Sequence, residues 1–120
     1  MADNGKTLND ALMELRGLTL GSVEFVMDYV QLRFGVPVLT AYIHPSLIAN
    51  DKVLFWAEPG YRDSLCDLIS LPVDDTGAND QEVKIHFQNG TVVRISLAAD
   101  DYRGPEALEF VSDSGPSWIV

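Results

Sequence analysis

The chain has 120 residues, about the usual size of one globular domain, and its 47% hydrophobic and 22% charged residues exclude wholesale disorder. Eighteen Asp and Glu against eight Lys and Arg give a formal charge of -10, which argues against binding to nucleic acid or to anionic lipid, since both need a basic surface. No apolar run approaches the roughly 18 residues that a membrane-spanning helix needs.

The amino terminus and the cysteine content indicate the cellular compartment of the protein. Residues 1–6 are polar and lack the apolar segment of a secretory signal, so we expect a disordered tail followed by a single α+β domain over 7–120. The one cysteine, Cys66, cannot form an internal disulfide and has no neighbouring cation, which predicts an inert thiol in the core or at its boundary. These features favour a cytoplasmic protein.

The first element is a short helix over 8–16. Thr7 and Asp10 have the spacing of a capping box, and Gly17 is suited to end the helix in the left-handed conformation. The residues predicted to face the core are Ala11, Leu12 and Leu15.

Strands follow this helix. Val23 and Phe25 begin a β-like stretch that Met27-Asp28 interrupts, and the segment 29–34 then alternates between apolar and polar residues. The turn at 35–37 leads to a strand over 38–43, which His44-Pro45 ends. Asn50-Asp51 is a plausible turn before a further short strand at 52–56.

A second helix is predicted after Glu58, with Pro59 in its first position. Its apolar stripe comprises Tyr61, Leu65, Leu68 and Ile69, and Pro72 prevents its continuation. The acidic segment 74–80 has the composition of a solvated loop.

The clearest local pattern is a hairpin. Val83, Ile85 and Phe87 alternate with polar residues, as do Val93, Ile95 and Leu97. Only a three-residue loop at 88–90 puts both apolar sets on one face, which predicts Gly90 in the left-handed position. We then expect a one- or two-turn helix from Gly104 to Phe110, a loop over 112–117 and an edge strand at 118–120.

Together these elements predict an α+β fold with one mostly antiparallel sheet of about six strands and two short helices. The stretches 20–35 and 71–90 share an outline, which suggests a helix–strand–hairpin unit used twice. The alternative is that any two amphipathic hairpins share such an outline.

Two short motifs near the carboxyl terminus carry a resemblance. Phe87-Gln88-Asn89-Gly90 opens a hairpin, and Gly104-Pro105-Glu106 follows it. In this respect the region 83–110 resembles small bacterial families of unknown function, including some immunity-type proteins. The resemblance implies no catalytic residues, because those families have no assigned activity.

Exposed aromatic residues beside turns are the best candidates for a binding site. Trp56, Tyr61, Tyr102 and Trp118 lie next to Pro-Gly, Arg-Gly or Gly-Pro turn signals, and Arg62 and Arg103 adjoin two of them. Protein interfaces favour Trp, Tyr and Arg. The alternative is that these rings only cover the open ends of a thin sheet.

The sequence offers no specific catalytic or metal-binding pattern. His44 and His86 match no zinc spacing, and the segment 74–80 lacks the closing Glu of a calcium loop. We therefore expect no metal and no cofactor.

Two functions remain open. The first is a non-enzymatic acidic interaction domain, with a basic protein partner and an immunity-like role. The second is a small ligand-binding protein or enzyme with a pocket between sheet and helices that uses His44, Asp28 or Glu58. We also expect a homodimer, because the strand 36–43 and the apolar terminus 118–120 would leave unprotected sheet edges.

Overall fold

The computed structural model describes residues 7–113 and 117–120, so the predicted tail at 1–6 and part of the predicted loop at 112–117 lie outside it. The fold is α+β. Two helices and ten strands follow in the order α1 (Leu8–Leu12), β1 (Ser22–Val26), β2 (Tyr29–Arg33), β3 (Val38–Ala41), β4 (Ser46–Ala49), β5 (Lys52–Leu54), α2 (Tyr61–Cys66), β6 (Val73–Ala78), β7 (Glu82–Phe87), β8 (Val92–Ser96), β9 (Leu108–Val111) and β10 (Ser117–Ile119).

The strands form two antiparallel five-stranded sheets, so the prediction of one sheet with about six strands is wrong. The first sheet has the order β1-β2-β3-β9-β10, and the second has the order β5-β4-β8-β7-β6. The predicted helix–strand–hairpin unit is also too small, because each helix is followed by five strands that are shared between both sheets. The inward residues of both sheets belong to one hydrophobic core.

The structure confirms how the first helix begins and ends. The Thr7 side chain accepts a hydrogen bond from the Asp10 backbone, and the Asp10 side chain accepts one from the Thr7 backbone. α1 continues as a single 3-10 turn over Met13–Leu15, and Gly17 follows with φ +82. The predicted inward residues are buried, and α1 packs on β6.

The predicted hairpin is β7 and β8, and its register is the expected one. Ile85 pairs with Val93 and Val83 pairs with Ile95, while Gly90 has φ +91. The three-residue loop places all six apolar side chains of the pattern in the core.

The acidic segment 74–80 is not a loop but contains most of strand β6. Composition concealed this strand because β6 lies at a sheet edge, where one side of the strand remains in water. A bulge between Val73 and Asp75 also breaks the period of two, so Asp74 and Asp75 are both exposed.

The predicted helix at 104–110 is also wrong, since Leu108–Val111 form β9. Leu108 and Phe110 are buried against β3, which becomes an interior strand. The segment 36–43 is therefore not a sheet edge and gives no support to a homodimer. The other predicted edge is observed, because β10 pairs only with β9 in the described part of the chain.

The second helix begins later than predicted. Gly60 has φ +89, which interrupts the helical conformation, so Pro59 lies before the helix and α2 starts at Tyr61. Tyr61, Leu65 and Leu68 are buried as predicted, but Ile69 is 37% exposed, contrary to the predicted stripe, and Cys66 is exposed, contrary to the predicted core thiol. Cys66 is the last residue of the helix and lies on its outer face, and Ile69 lies in the turn that follows the helix.

The helices within the described residues are all too short or too polar to cross a lipid bilayer.

Candidate functional site

A group of aromatic and basic side chains packs where the second half of the chain meets the first sheet. We call Phe25, His44, Trp56, Tyr61 and Arg62 the aromatic cluster. Phe25 comes from β1, Tyr61 and Arg62 from α2, and His44 and Trp56 from the segments that flank the β4–β5 hairpin. α2 packs on β1 and β4, which brings these residues together.

Trp56 is the centre of the cluster. Its ring stacks on His44 with the centroids 3.9 Å apart and an interplanar angle of 5°. Tyr61 meets it edge-on at 5.7 Å, and the Arg62 guanidinium carbon lies 5.3 Å from the Trp56 centroid. The same guanidinium carbon lies 5.5 Å from the Phe25 ring centroid, so both rings offer it a cation–π contact.

Tyr61 holds the cluster to the backbone beside His44. It is fully buried, and its hydroxyl donates a hydrogen bond to the carbonyl oxygen of Pro45. Burial raises the pKa of the Tyr61 hydroxyl well above its ordinary value. Tyr61 is therefore a wall of the cluster and not the exposed binding residue that the sequence predicted.

His44 is the unusual group of the site. The Arg103 side-chain nitrogen Nη1 lies 3.4 Å from His44 Nδ1, and a guanidinium can only donate. We therefore assign the proton of the neutral ring to Nε2, a buried atom that has no hydrogen-bond partner in the described part of the chain. Burial lowers the pKa of His44, the Arg103 charge lowers it further, and Asp28 opposes both effects.

The lowered pKa predicts that acid destabilises the protein through His44. The unfolded chain takes up a proton near the ordinary histidine pKa of about 6.5, whereas the folded ring resists protonation until a lower pH. The free energy of unfolding should therefore fall as the pH drops below about 6.5. Urea unfolding at a series of pH values measures this slope, and His44→Ala should flatten it; an equal slope in both proteins would contradict the assignment.

A cavity of about 270 Å³ opens beside the cluster. Its lining residues are Asp28, Tyr42, Arg103, Gly104, Pro105 and Glu106. Tyr42 hydrogen-bonds through its hydroxyl to Glu109 at 3.5 Å, and its ring meets Tyr29 edge-on at 5.7 Å. Burial, followed by the charges of Glu109 and Glu106, raises the pKa of Tyr42. The cavity therefore presents two carboxylates and a neutral phenol, with Arg103 between it and His44.

The structure brings together four of the six predicted site residues. Trp56, Tyr61 and Arg62 are in direct contact, and Arg103 joins them through His44. Trp118 lies on β10, at the opposite edge of the first sheet from the Phe25 strand β1. Tyr102 is half-buried against the core.

Phe25 and Tyr42 were missed by the sequence analysis, and His44 and Asp28 appeared only in its second function. His44 contacts Trp56 and Arg103, and because both are distant from it in sequence, no local pattern reveals either contact. The one available signal was position: His44 and Asp28 each end a predicted strand. Glu58 does not line this cavity but a second one of about 330 Å³, together with Tyr61 and Arg62, and it accepts a hydrogen bond from the Phe55 backbone at 2.6 Å.

Most of the basic side chains are engaged within the chain. Arg16 pairs with Asp75 at 2.7 Å and Lys84 pairs with Glu82 at 3.3 Å. Within the described residues, Arg33 also pairs with Glu24 and Arg94 with Glu82. Exposed carboxylates occur on both halves of the chain, at Asp28, Asp51, Asp63, Asp67, Asp74, Asp80 and Asp100. The net negative charge is therefore presented to solvent with few free cations to offset it.

Across residues 7–113 and 117–120, no three side chains of the metal-binding types gather into a candidate metal site. Comparison with family models, with curated proteins and with solved structures found no match for this chain.

Proposed function

We propose that the protein is a non-enzymatic interaction domain that binds a basic protein partner. The observation that carries the proposal is the distribution of charge. Four cations are paired with carboxylates of the same chain, Arg62 lies over aromatic rings and Arg103 faces His44. Exposed ion pairs of this kind add little to stability, but they leave the unpaired carboxylates to set the external field.

An external field of one sign favours a partner of the opposite sign. Such complementarity raises the rate of association and suppresses the wrong partners, and both effects weaken as salt increases. The chain carries -10 at pH 7, so the partner that it fits is a protein with a basic surface.

The size of the cavity favours a protein partner over a small molecule. At about 270 Å³ it lies at the lower limit of the roughly 300–1,000 Å³ typical of small-molecule sites, and it opens to solvent beside Asp28 and Glu106. A cavity of this size suits a single side chain of a larger partner.

The more specific form of this proposal is an immunity-type role in a bacterium, with a basic toxin as partner. The support is the resemblance at Phe87–Gly90 and at Gly104-Pro105-Glu106. In the structure the second motif lines the cavity, so the residues that carry the resemblance are available for contact.

The test is to identify the partner and measure its binding with purified proteins. Proteins captured from the source cell at low salt are purified, and their Kd is measured at two salt concentrations. We expect a basic protein that binds one to one, with a Kd that rises at least about tenfold between roughly 0.05 and 0.3 M salt. Purified partners that are acidic or that bind equally well at both concentrations would overturn the proposal.

A small ligand is the second candidate, because the cavity lies next to a histidine whose Nε2 has no hydrogen-bond partner among the described residues. Thermal unfolding in the presence of a metabolite panel tests this alternative, since a ligand that binds only the folded state raises Tm. A saturable rise that His44→Ala abolishes would favour the ligand, and no rise at millimolar concentrations would reject it.

A further inference from the structure

The two sheets are assembled in the same way from the two halves of the chain. β1-β2-β3 is three consecutive strands, and β9-β10 from the other half extends it. β6-β7-β8 is likewise three consecutive strands, and β4-β5 extends it. The helix before each set packs against the edge strand of the opposite sheet, α1 on β6 and α2 on β1, and α2 also contacts β4. The halves therefore exchange their two-stranded hairpins.

Backbone hydrogen bonds join the two halves between residues 17–20 and 70–73, and each bond has an equivalent in which the two halves trade places. The bond from Gly17 N to Val73 O has its counterpart in the bond from Ser70 N to Leu20 O, both 2.8 Å long. Gly17 and Ser70 also share an unusual conformation, with φ +82 and +80. The isolated antiparallel bridge between Thr19 and Pro72 joins two residues that are related in the same way. This pattern is that of a pseudo-two-fold axis.

The axis pairs each position in one half with an equivalent position in the other. In the core, the equivalent residues are alike and buried in both halves: Leu12 with Leu65, Leu15 with Leu68, Val30 with Val83, Leu32 with Ile85, and Phe34 with Phe87. The strand registers fix the remaining pairs. Phe25 faces Val30 as Ala78 faces Val83, so Phe25 and Ala78 are equivalent.

At the aromatic cluster the equivalent residues are unlike. The strand registers make Ala78 equivalent to Phe25 and, continued past the strand ends, make Ala98 equivalent to His44 and Val120 equivalent to Trp56. In the helices, Asn9 is equivalent to Arg62 because Leu12 is equivalent to Leu65. Where Arg62 lies over the Phe25 ring, Asn9 only accepts a 2.8 Å hydrogen bond from the Ala78 backbone. The same architecture is therefore built in the second half without an aromatic cluster, which means that the fold does not require one.

The turn beside the aromatic cluster also differs between the two halves. Met27-Asp28 joins β1 to β2, and the equivalent turn between β6 and β7 is Asp80-Gln81. Met27 is 88% exposed where the other half has a solvated carboxylate. Phe55, on the other side of the cluster in a cavity with His44, is 58% exposed. Apolar side chains thus flank the cluster on the surface of one half.

From this asymmetry we propose that the surface around His44 is the docking surface for the basic partner. We call it the His44 surface: exposed Met27 and Phe55, the face of His44 and Trp56, and the cavity that contains Asp28 and Glu106. A lysine or arginine side chain of the partner enters the cavity between the two carboxylates, while Met27 and Phe55 contact apolar residues beside it. This inference rests on the proposed function.

The charges in the cavity suit such an occupant. Arg103, the only cation among the lining residues, has its Nη1 within 3.4 Å of His44 Nδ1, and neither Asp28 nor Glu106 forms an ion pair within the described residues. A carboxylate pair binds a guanidinium through charge-assisted hydrogen bonds, and the Tyr42 ring in the cavity lining offers it a cation–π contact.

The test uses the full chain and a pair of matched peptides. The probe is a short capped peptide with one arginine flanked by leucines, and its control has citrulline, which is neutral, in place of arginine. Trp118→Phe leaves Trp56 as the only tryptophan, so its fluorescence reports binding at the His44 surface. We expect the arginine peptide to bind at least about tenfold more tightly than the citrulline peptide.

Matched variants then distinguish binding at the His44 surface from attraction by the net charge of the whole chain. Asp28→Gln introduces the residue that the other half carries at the equivalent position, and it is combined with Glu106→Gln. The control is Asp67→Asn with Asp74→Asn, which removes the same charge from exposed positions elsewhere. The first pair should weaken the arginine peptide at least about tenfold and the control pair less than about twofold, with unchanged Tm in both.

The outcomes separate this inference from the proposed function. Equal weakening by both pairs, or no preference for arginine over citrulline, would overturn the docking surface and leave a basic partner bound elsewhere. If the purified partner instead bound the chain with no dependence on salt, the proposed function itself would be overturned.

Discussion

Replacing Phe87 with alanine should lower the free energy of unfolding by about 3–5 kcal/mol, the cost expected for removing a large ring from a close-packed core. Phe87 is 1% exposed, and it lies at the end of β7 where the hairpin loop and β6 meet. Its backbone nitrogen also donates to Thr91 O at 2.9 Å, so the residue joins the loop to the core. Urea unfolding monitored by circular dichroism measures the change.

Phe55→Ala is the matched control for this prediction. It removes the same ring from a side chain that is 58% exposed, and we expect a change of less than about 1 kcal/mol. Similar losses from the two variants would mean that the hairpin does not direct Phe87 into the core.

Leu65→Ala should destabilise the protein by about 2–5 kcal/mol, because Leu65 is fully buried where α2 packs on β1 and β4. Ile69→Ala should cost about 1 kcal/mol or less, since Ile69 lies beyond the helix and is 37% exposed. Both variants are measured by urea unfolding. A larger loss for Ile69→Ala would restore the helical stripe that the sequence predicted and contradict the end of α2 at Cys66.

The hairpin β7–β8 and the start of α1 could be predicted because each depends on residues close in sequence. Alternation with a period of two, combined with a glycine suited to the left-handed conformation, leaves one register for the hairpin. The capping box likewise needs only Thr7 and Asp10. Local geometry determines these elements.

The strands that escaped prediction depend on distant partners. Ser46–Ala49 is too short to show a period. It lies beside β8 because the β4–β5 hairpin of the first half joins the sheet that contains β6, β7 and β8. β9 has the alternating residues Leu108 and Phe110, but Gly104-Pro105-Glu106 before it indicated a helix. Tertiary pairing overrides local preference at both places.

Only part of the candidate site could be predicted, because some of its contacts join residues that are distant in sequence. Trp56, Tyr61 and Arg62 are close in sequence and lie beside turn signals, so their types and positions indicated an interface. Their contacts with Phe25 and His44 require the β4–β5 hairpin to join the other sheet, which no local pattern shows.

The measurement that tests the central claim most directly is chemical-shift mapping of the isotope-labelled chain with the single-arginine peptide. We predict that the largest shifts occur at Met27, the His44 ring, the Trp56 indole and Gly104, with little change at Trp118 or at the Asn9–Ala78 contact. Shifts centred on α1 and β6, or shifts of equal size with the citrulline peptide, would contradict the assignment of the His44 surface as the site where a basic partner docks.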